Sequence, residues 1–374
     1  MLFENVNKIL MIQKITIEGY KSIKEQTVEL FPINILIGGN GIGKSNFISA
    51  FTLIHNLYER NLQNYVLTKG GSDSLLYMGK KETDHLSFDL FFAERGKDAH
   101  NRFIVNMKEA QDSLFIERID TAYHNGVSWH KQLHEVNKQE SSFKNDHTGQ
   151  AFYVNSFLRE FEVYHFHDTG KGARVKQEHN ISNNKMLLYD AANLAAFLYR
   201  LKNFFKQNYD EIVETIRLVA PYFDDFVLEP QEGNEEQIVL RWRQAGCEDI
   251  FNASQLSDGT LRFICLTTLL LQPHELQPAT IIVDEPELGL HPYAITIFSE
   301  IVRQLSNEKQ IIISTQSVEL LNEFDVEDVI VVDRSDTGSE FRRLDPEQLK
   351  LWLDGDYTLG DLWKKNVLGG RLSK

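Results

Sequence analysis

Gly38-Gly39-Asn40-Gly41-Ile42-Gly43-Lys44-Ser45 decides how this chain is read. The spacing is G-x-x-x-x-G-K-S. A mostly apolar run, Ile33 to Ile37, precedes it and predicts a buried strand. Asn46 to Leu57 follows and predicts a helix with Phe47, Ile48, Phe51 and Ile54 on one face. Strand, glycine loop and helix together form the context in which such a loop wraps a polyphosphate. The glycines of the run, Gly38, Gly41 and Gly43 among them, let backbone N–H groups converge on an anion without a Cβ in the way. Lys44 is expected to reach the β- and γ-phosphates of a nucleotide, and Ser45 to ligate Mg2+.

Further along, Thr280 to Val283 predicts a short buried strand, and Asp284-Glu285 closes it. A carboxylate at the end of such a strand is placed to hold Mg2+ directly or through water, which makes Asp284 a metal-ligand candidate. Glu285 is the candidate to orient the attacking water or take its proton. An Asp-Glu pair after one strand is also an ordinary loop; the phosphate loop upstream is what gives it weight. Leu256-Ser257-Asp258-Gly259-Thr260 stands before a predicted helix, Leu261 to Leu271. Alone it reads as an N-cap. Just upstream of the Asp284 strand, Ser257 and Gly259 become candidates to bind an anion at the helix N-terminus. A third apolar strand, Ile311 to Ser314, is followed by Thr315-Gln316-Ser317, where Gln316 could sense a γ-phosphate.

The rest of the chain limits the classes. Of its 374 residues, 42% are hydrophobic and 25% charged, the balance of a globular protein with a sizeable core. A net charge of −15 excludes bulk electrostatic binding to DNA, although a local basic strip is compatible with it. Two cysteines, Cys247 and Cys265, predict no disulfide framework and fit a reducing cytoplasm. The longest apolar runs are far too short to span a membrane. The first ten residues are expected to be a tail or an upstream start.

Ile12 to Glu18, Ile23 to Leu30, Leu86 to Phe92, Arg102 to Met107 and Ser113 to Ile119 predict short strands, the later ones an antiparallel meander. Gly126 to Gly149 is polar and reads as a loop or mobile edge. Two helices are predicted near Tyr189–Phe205 and Tyr209–Val219, then a hairpin of Phe226–Glu229 with Gln237–Trp242. His165 and His167 share a strand face with Asp168 beyond; without a firm third ligand, a structural or interface role is expected. Lys171, Arg174, Lys176 and Lys185 make a weakly basic loop that reads as solvated.

Taken as a set, four segments resemble the ABC-type ATPase heads of the SMC, RecF and OLD group, and the compact bacterial RecF-like AAA-family ATPases above all. They are Gly38 to Asn46, Leu256 to Thr260, Ile281 to Glu287 and Ser314 to Ser317. The opening Ile15 to Ser22 and the tail Leu359 to Arg371 resemble that group too. The resemblance implies an α/β P-loop NTPase of ABC/SMC-head type, with an antiparallel N-terminal β-lobe and an inserted helical lobe. The expected segments are 1–119, carrying the Walker A loop; 120–242, a mostly helical insertion; 243–340, with the signature and the Walker B strand; and 341–374, a tail.

It further implies that two copies sandwich two ATP molecules. The phosphate loop of one, with Asn40 and Asn46 in its nucleotide-binding set, faces Ser257 and Gly259 of the other. Leu288 to His291 then matches the segment along the seam, and Lys21 a basic position near the phosphates. The signature departs from L-S-G-G-Q at its third and fifth positions, and Gln316 stands where a switch His is common. Gln donates a hydrogen bond but does not titrate, which points to slow turnover. The expected activity is ATP hydrolysis with nucleotide-gated homodimerisation, regulating a defence or repair process through a separately encoded effector such as a nuclease, with DNA as a further partner. A slow ATP-locked scaffold and a recombination-mediator-like DNA-binding protein are the competing readings.

Overall fold

The computed structural model describes residues 10–98 and 100–370. The readings on residues 1–9 and on Arg371 lie outside these. The described chain forms two compact units. The first takes residues up to Val163, Ala279–Ile282 and those from Ser306 onward; the second takes Tyr164–Pro278 and Val283–Leu305.

In the first unit, β1 (Leu10–Tyr20) and β2 (Ile23–Glu29) form a hairpin, β3 (Ile33–Ile37) follows, and α1 (Lys44–Tyr58) leaves the glycine loop. After a turn region come β4 (His85–Glu94), β5 (Asn101–Ala110), β6 (Ser113–His124) and β7 (Trp129–Lys138). They join β1 and β2 in an antiparallel sheet of order β2-β1-β4-β5-β6-β7. The alternation read in β4 is real: Leu86, Phe88, Leu90 and Phe92 are all buried. They share a core with Phe47, Ile48, Phe51 and Ile54 of α1. On the other face Phe91 lies between cations, 4.1 Å from Lys14 Nζ and 4.3 Å from the Arg102 guanidinium.

Of the two sequence readings of Gly126–Gly149, a loop or an edge, β7 bears out the edge. It is an edge strand, antiparallel to β6, with Leu133 and Val136 about half exposed. Most of its residues are polar and only partly covered, so it shows no apolar alternation and polarity hid it.

A second sheet runs in the order Gly338–Arg343, Val329–Ser335, β3, Gln310–Thr315, Thr280–Asp284, Phe161–Tyr164. β3 is parallel to both of its neighbours, and all five of its residues are buried. A strand covered on both faces reads as a continuous apolar run.

One polar side chain ties the first unit together. Buried Gln310 accepts from Ile12 N–H and from the Thr280 hydroxyl, both at 3.0 Å. Its amide donates to the Ile12 carbonyl (2.9 Å) and the Phe31 carbonyl (3.1 Å). Gln310→Leu keeps the volume and strands these groups. It is expected to cost about 3 kcal/mol or more, read as a lowered urea midpoint at unchanged slope. A loss below about 1 kcal/mol would show that the pairings survive without it.

In the second unit, Leu194–Phe204 and Lys206–Val219 are helices, as the apolar spacing predicts. The hairpin differs from the reading. Phe223–Val227 pairs with Arg241–Gln244, which also pairs with Ile250–Asn252. The intervening Gln237–Ile238 pairs instead with His179–Asn180. Two partners so close in sequence cannot be told apart by alternation alone. The segment 120–242 is divided between the units at Val163 and Tyr164. No helix among the described residues is long and apolar enough to cross a membrane.

Candidate nucleotide-binding site

The glycine loop between β3 and α1 belongs to the first unit. α1 begins at Lys44 behind Gly43, whose φ is 122°. A Cβ there would overlap the Ser339 hydroxyl, so both conformation and space require glycine. No side chain caps this helix, and its first turn carries no acid. Its leading N–H groups and dipole therefore suit an incoming anion.

Lys44 is only 4% exposed. Its Nζ turns back over the loop and donates to the carbonyls of Gly38 (2.7 Å) and Gly39 (3.0 Å). The Gly39 N–H donates to the Gly370 carbonyl at 2.8 Å. Asn46 Nδ2 donates to Ser22 Oγ at 2.7 Å, and Ser339 donates to the Ile42 carbonyl. Asn46 therefore braces the loop from outside. Asn40, Gly41 and Ser45 are exposed.

Lys21 sits further along, where its Nζ donates to Ser49 Oγ of α1 at 2.8 Å. Burial, with repulsion from Lys69 second, lowers its pKa to about 8. In the parallel register Thr315 lies opposite Ile37, so Gln316 leaves the sheet level with Gly38. The Ser317 hydroxyl accepts from Leu320 N–H and caps the short helix that follows.

The second unit holds the other motifs. Ser257 is the N-cap of the helix Asp258–Leu271, and its Oγ accepts from Thr260 N–H at 3.1 Å. A Cβ on Gly259 would overlap the Gly289 carbonyl. That glycine is what lets the signature turn touch the segment after Asp284-Glu285. Arg262, one turn into the helix, is buried. Its Nε donates to the Phe166 carbonyl and its Nη2 to the His167 carbonyl, both at 3.0 Å. The His167 ring lies 2.7 Å from the Asp284 carbonyl through Nε2. A carbonyl only accepts, so Nε2 carries the hydrogen. His165 Nδ1 is 4.0 Å from the Asp284 carboxylate.

The histidine pair thus has a place beside Asp284 that its own pattern did not reveal. Glu285 follows with φ 43°, a left-handed conformation worth about 1 kcal/mol or more of strain in a non-glycine residue. Such strain clusters at functional turns. The basic loop is partly consumed by pairing: Arg174 meets Asp190 at 2.7 Å, and Lys176 meets Asp258 at 3.5 Å.

Among the described residues no three His, Cys, Asp or Glu side chains gather into a metal-binding group. One or two protein oxygens completed by nucleotide phosphates is the donor set that Mg2+ accepts. Arg262 was the residue most open to earlier notice, as the one charge in the apolar run Leu261–Leu271. Ser22 and Ser339 carry no such signal.

A family profile described as "AAA domain, putative AbiEii toxin, Type IV TA system" matches residues 33–322. No curated protein matches the chain in sequence. Among solved structures, the chain is similar to the Smc head bound to the C-winged helix domain of ScpA. The identity there is 14% and the TM-score 0.57, over 91% of this chain and 99% of that one. It is equally similar to the Smc head with an extended coiled coil bound to the C-terminal domain of ScpA, derived from Pyrococcus furiosus. That match has 14% identity and a TM-score of 0.57, over 93% and 99% of the two chains. At this identity the likeness is one of fold: a mixed α/β arrangement with antiparallel sheets and a further sheet in which β3 runs parallel to both neighbours.

Proposed function

We propose that this chain, which belongs to the AAA-domain family of that description, binds ATP with Mg2+ and hydrolyses it slowly to ADP and phosphate. The observation that carries the reading is the uncapped start of α1 behind Gly43, with Lys44 held across the loop. Lys44 and the loop N–H groups take the phosphates, with Gly38, Asn40, Gly41 and Gly43 giving the backbone its path. Ser45 and Asp284 would hold Mg2+, which when bound would supply charge neutralisation for the nucleotide. Glu285 takes a proton from the attacking water, and Gln316 donates to the γ-phosphate.

Ser257 and Gly259 act on the nucleotide of a second copy, so that ATP closes a homodimer and hydrolysis opens it. The output is control of a separately encoded effector, a nuclease being one such protein, in a cytoplasmic defence or repair process. The family description, a toxin of a type IV toxin–antitoxin system, supports defence. Both Smc heads are complexes with a ScpA domain, which supports a protein partner. One observation favours a second reading: Gln316 cannot titrate, so an ATP-locked scaffold with little turnover is the alternative.

Light scattering on Glu285→Gln with and without Mg-ATP tests the core of this. A nucleotide-dependent doubling of mass is expected. An unchanged mass would sink gated homodimerisation, and the same larger mass in both conditions would mean that ATP does not control assembly.

A further inference from the structure

Three hydroxyls line up at the start of the helix Asp258–Leu271. The oxygens of Ser257 and Thr260 are 2.8 Å apart, and Thr260 Oγ1 is 3.0 Å from the Tyr222 hydroxyl. The Thr260 N–H also donates to Ser257 Oγ. A hydroxyl has one hydrogen to give and two lone pairs to receive with.

We propose that Tyr222 and Thr260 are positioning residues for Ser257. Tyr222 donates to Thr260 and Thr260 donates to Ser257. Ser257 is then left with its acceptor sites filled and its one hydrogen directed at a phosphate oxygen. The inference rests on the reading in which Ser257 meets ATP held by a second copy.

Several features favour this direction. A phenol is a stronger acid than an aliphatic alcohol and so the better donor at the head of the line. Each donation polarises the next, strengthening the last. Both lone pairs of Ser257 are taken by one residue, through the N–H and the O–H of Thr260. A serine so filled recognises an acceptor such as phosphate, and not a donor. Tyr222 is 41% exposed, so its hydroxyl has water available and is not driven to Thr260 by burial. Its ring is held edge-on against Trp242 at 5.8 Å, and Trp242 stacks on Phe223 at 6.0 Å. The neighbouring Asp258 carboxylate would repel a phosphate, but Lys176 lies 3.5 Å away with its side chain 8% exposed and offsets it. Thr260 thus gives a chemical sense to a signature that departs from the common pattern at its fifth position.

The test compares Tyr222→Phe, Thr260→Val and Ser257→Ala, each in the Glu285→Gln chain. Tyr222→Phe keeps the ring and its packing. Two quantities separate the roles: the concentration at which Mg-ATP drives self-association, and the affinity of the dilute monomer for a fluorescent ATP analogue. Tyr222→Phe is expected to weaken association about 3- to 10-fold and Thr260→Val at least as much. Monomer affinity and melting temperature should stay unchanged. If Ser257→Ala weakens association while the other two do not, the relay is overturned and the composite site stands. If Ser257→Ala has no effect on ATP-driven association, the composite site falls and the relay with it. Equal losses in monomer affinity, or a lowered melting temperature for Tyr222→Phe, would assign the hydroxyl to folding and overturn the proposal.

Discussion

Lys44→Ala is expected to lower ATP affinity roughly a hundredfold, because it removes one or two charge-assisted hydrogen bonds to phosphate. The geometry holds the charge in place before any ligand arrives. Lys44 lies almost wholly inside the loop and donates to Gly38 and Gly39, so its ammonium is already delivered to the place where phosphate charge would collect. No acid in the first turn of α1 competes with that charge. Arginine is not expected to rescue the loss, since a planar fork does not fit a position that encloses an ammonium so closely. Titration with a fluorescent nucleotide reads the affinity directly. The rise in melting temperature that saturating Mg-ATP confers on the parent chain should largely vanish in the variant. Binding within about threefold of the parent would remove Lys44 from the site, because an interaction of that kind is worth more than this.

Glu285→Gln should leave ATP binding within a few-fold and cut turnover about 10²- to 10⁴-fold, the range for losing a general base. Gln has nearly the same shape and can still orient water, but it cannot accept the proton. The backbone at Glu285 adopts φ 43°, which a turn at the end of Thr280–Asp284 imposes on whichever residue stands there. The substitution therefore leaves that strain as it is, and its effect falls on chemistry. Single-turnover phosphate release separates the proton step from product release. A fall in turnover below about tenfold would pass the role of base to another group, and a matching loss of affinity would make Glu285 a binding residue.

Most of the first unit was open to reading because its signals are local. Leu86, Phe88, Leu90 and Phe92 alternate over a single strand, and Phe47, Ile48, Phe51 and Ile54 repeat over a single helix. Where pairing partners decide, periodicity falls short. The strand Phe223–Val227 passes over its near neighbour for Arg241–Gln244, and polar β7 forms because β6 offers an open edge.

The same divide runs through the candidate site. The order of glycines, Lys44 and Ser45 within eight residues pointed to a loop suited to an anion, and the glycine turn between β3 and α1 is as local as that signal. An Asp-Glu at the end of a short apolar run was equally local. What surrounds those motifs was left to the tertiary structure. Ser339 comes to lie 2.7 Å from Ser22 although the two are 317 positions apart. Arg262 reaches back to the carbonyls of Phe166 and His167, and His167 reaches forward to Asp284. These are single hydrogen bonds between distant segments. They leave no period, spacing or compositional trace, and they exist only once the unit that holds them has folded and fixed where its own backbone carbonyls point.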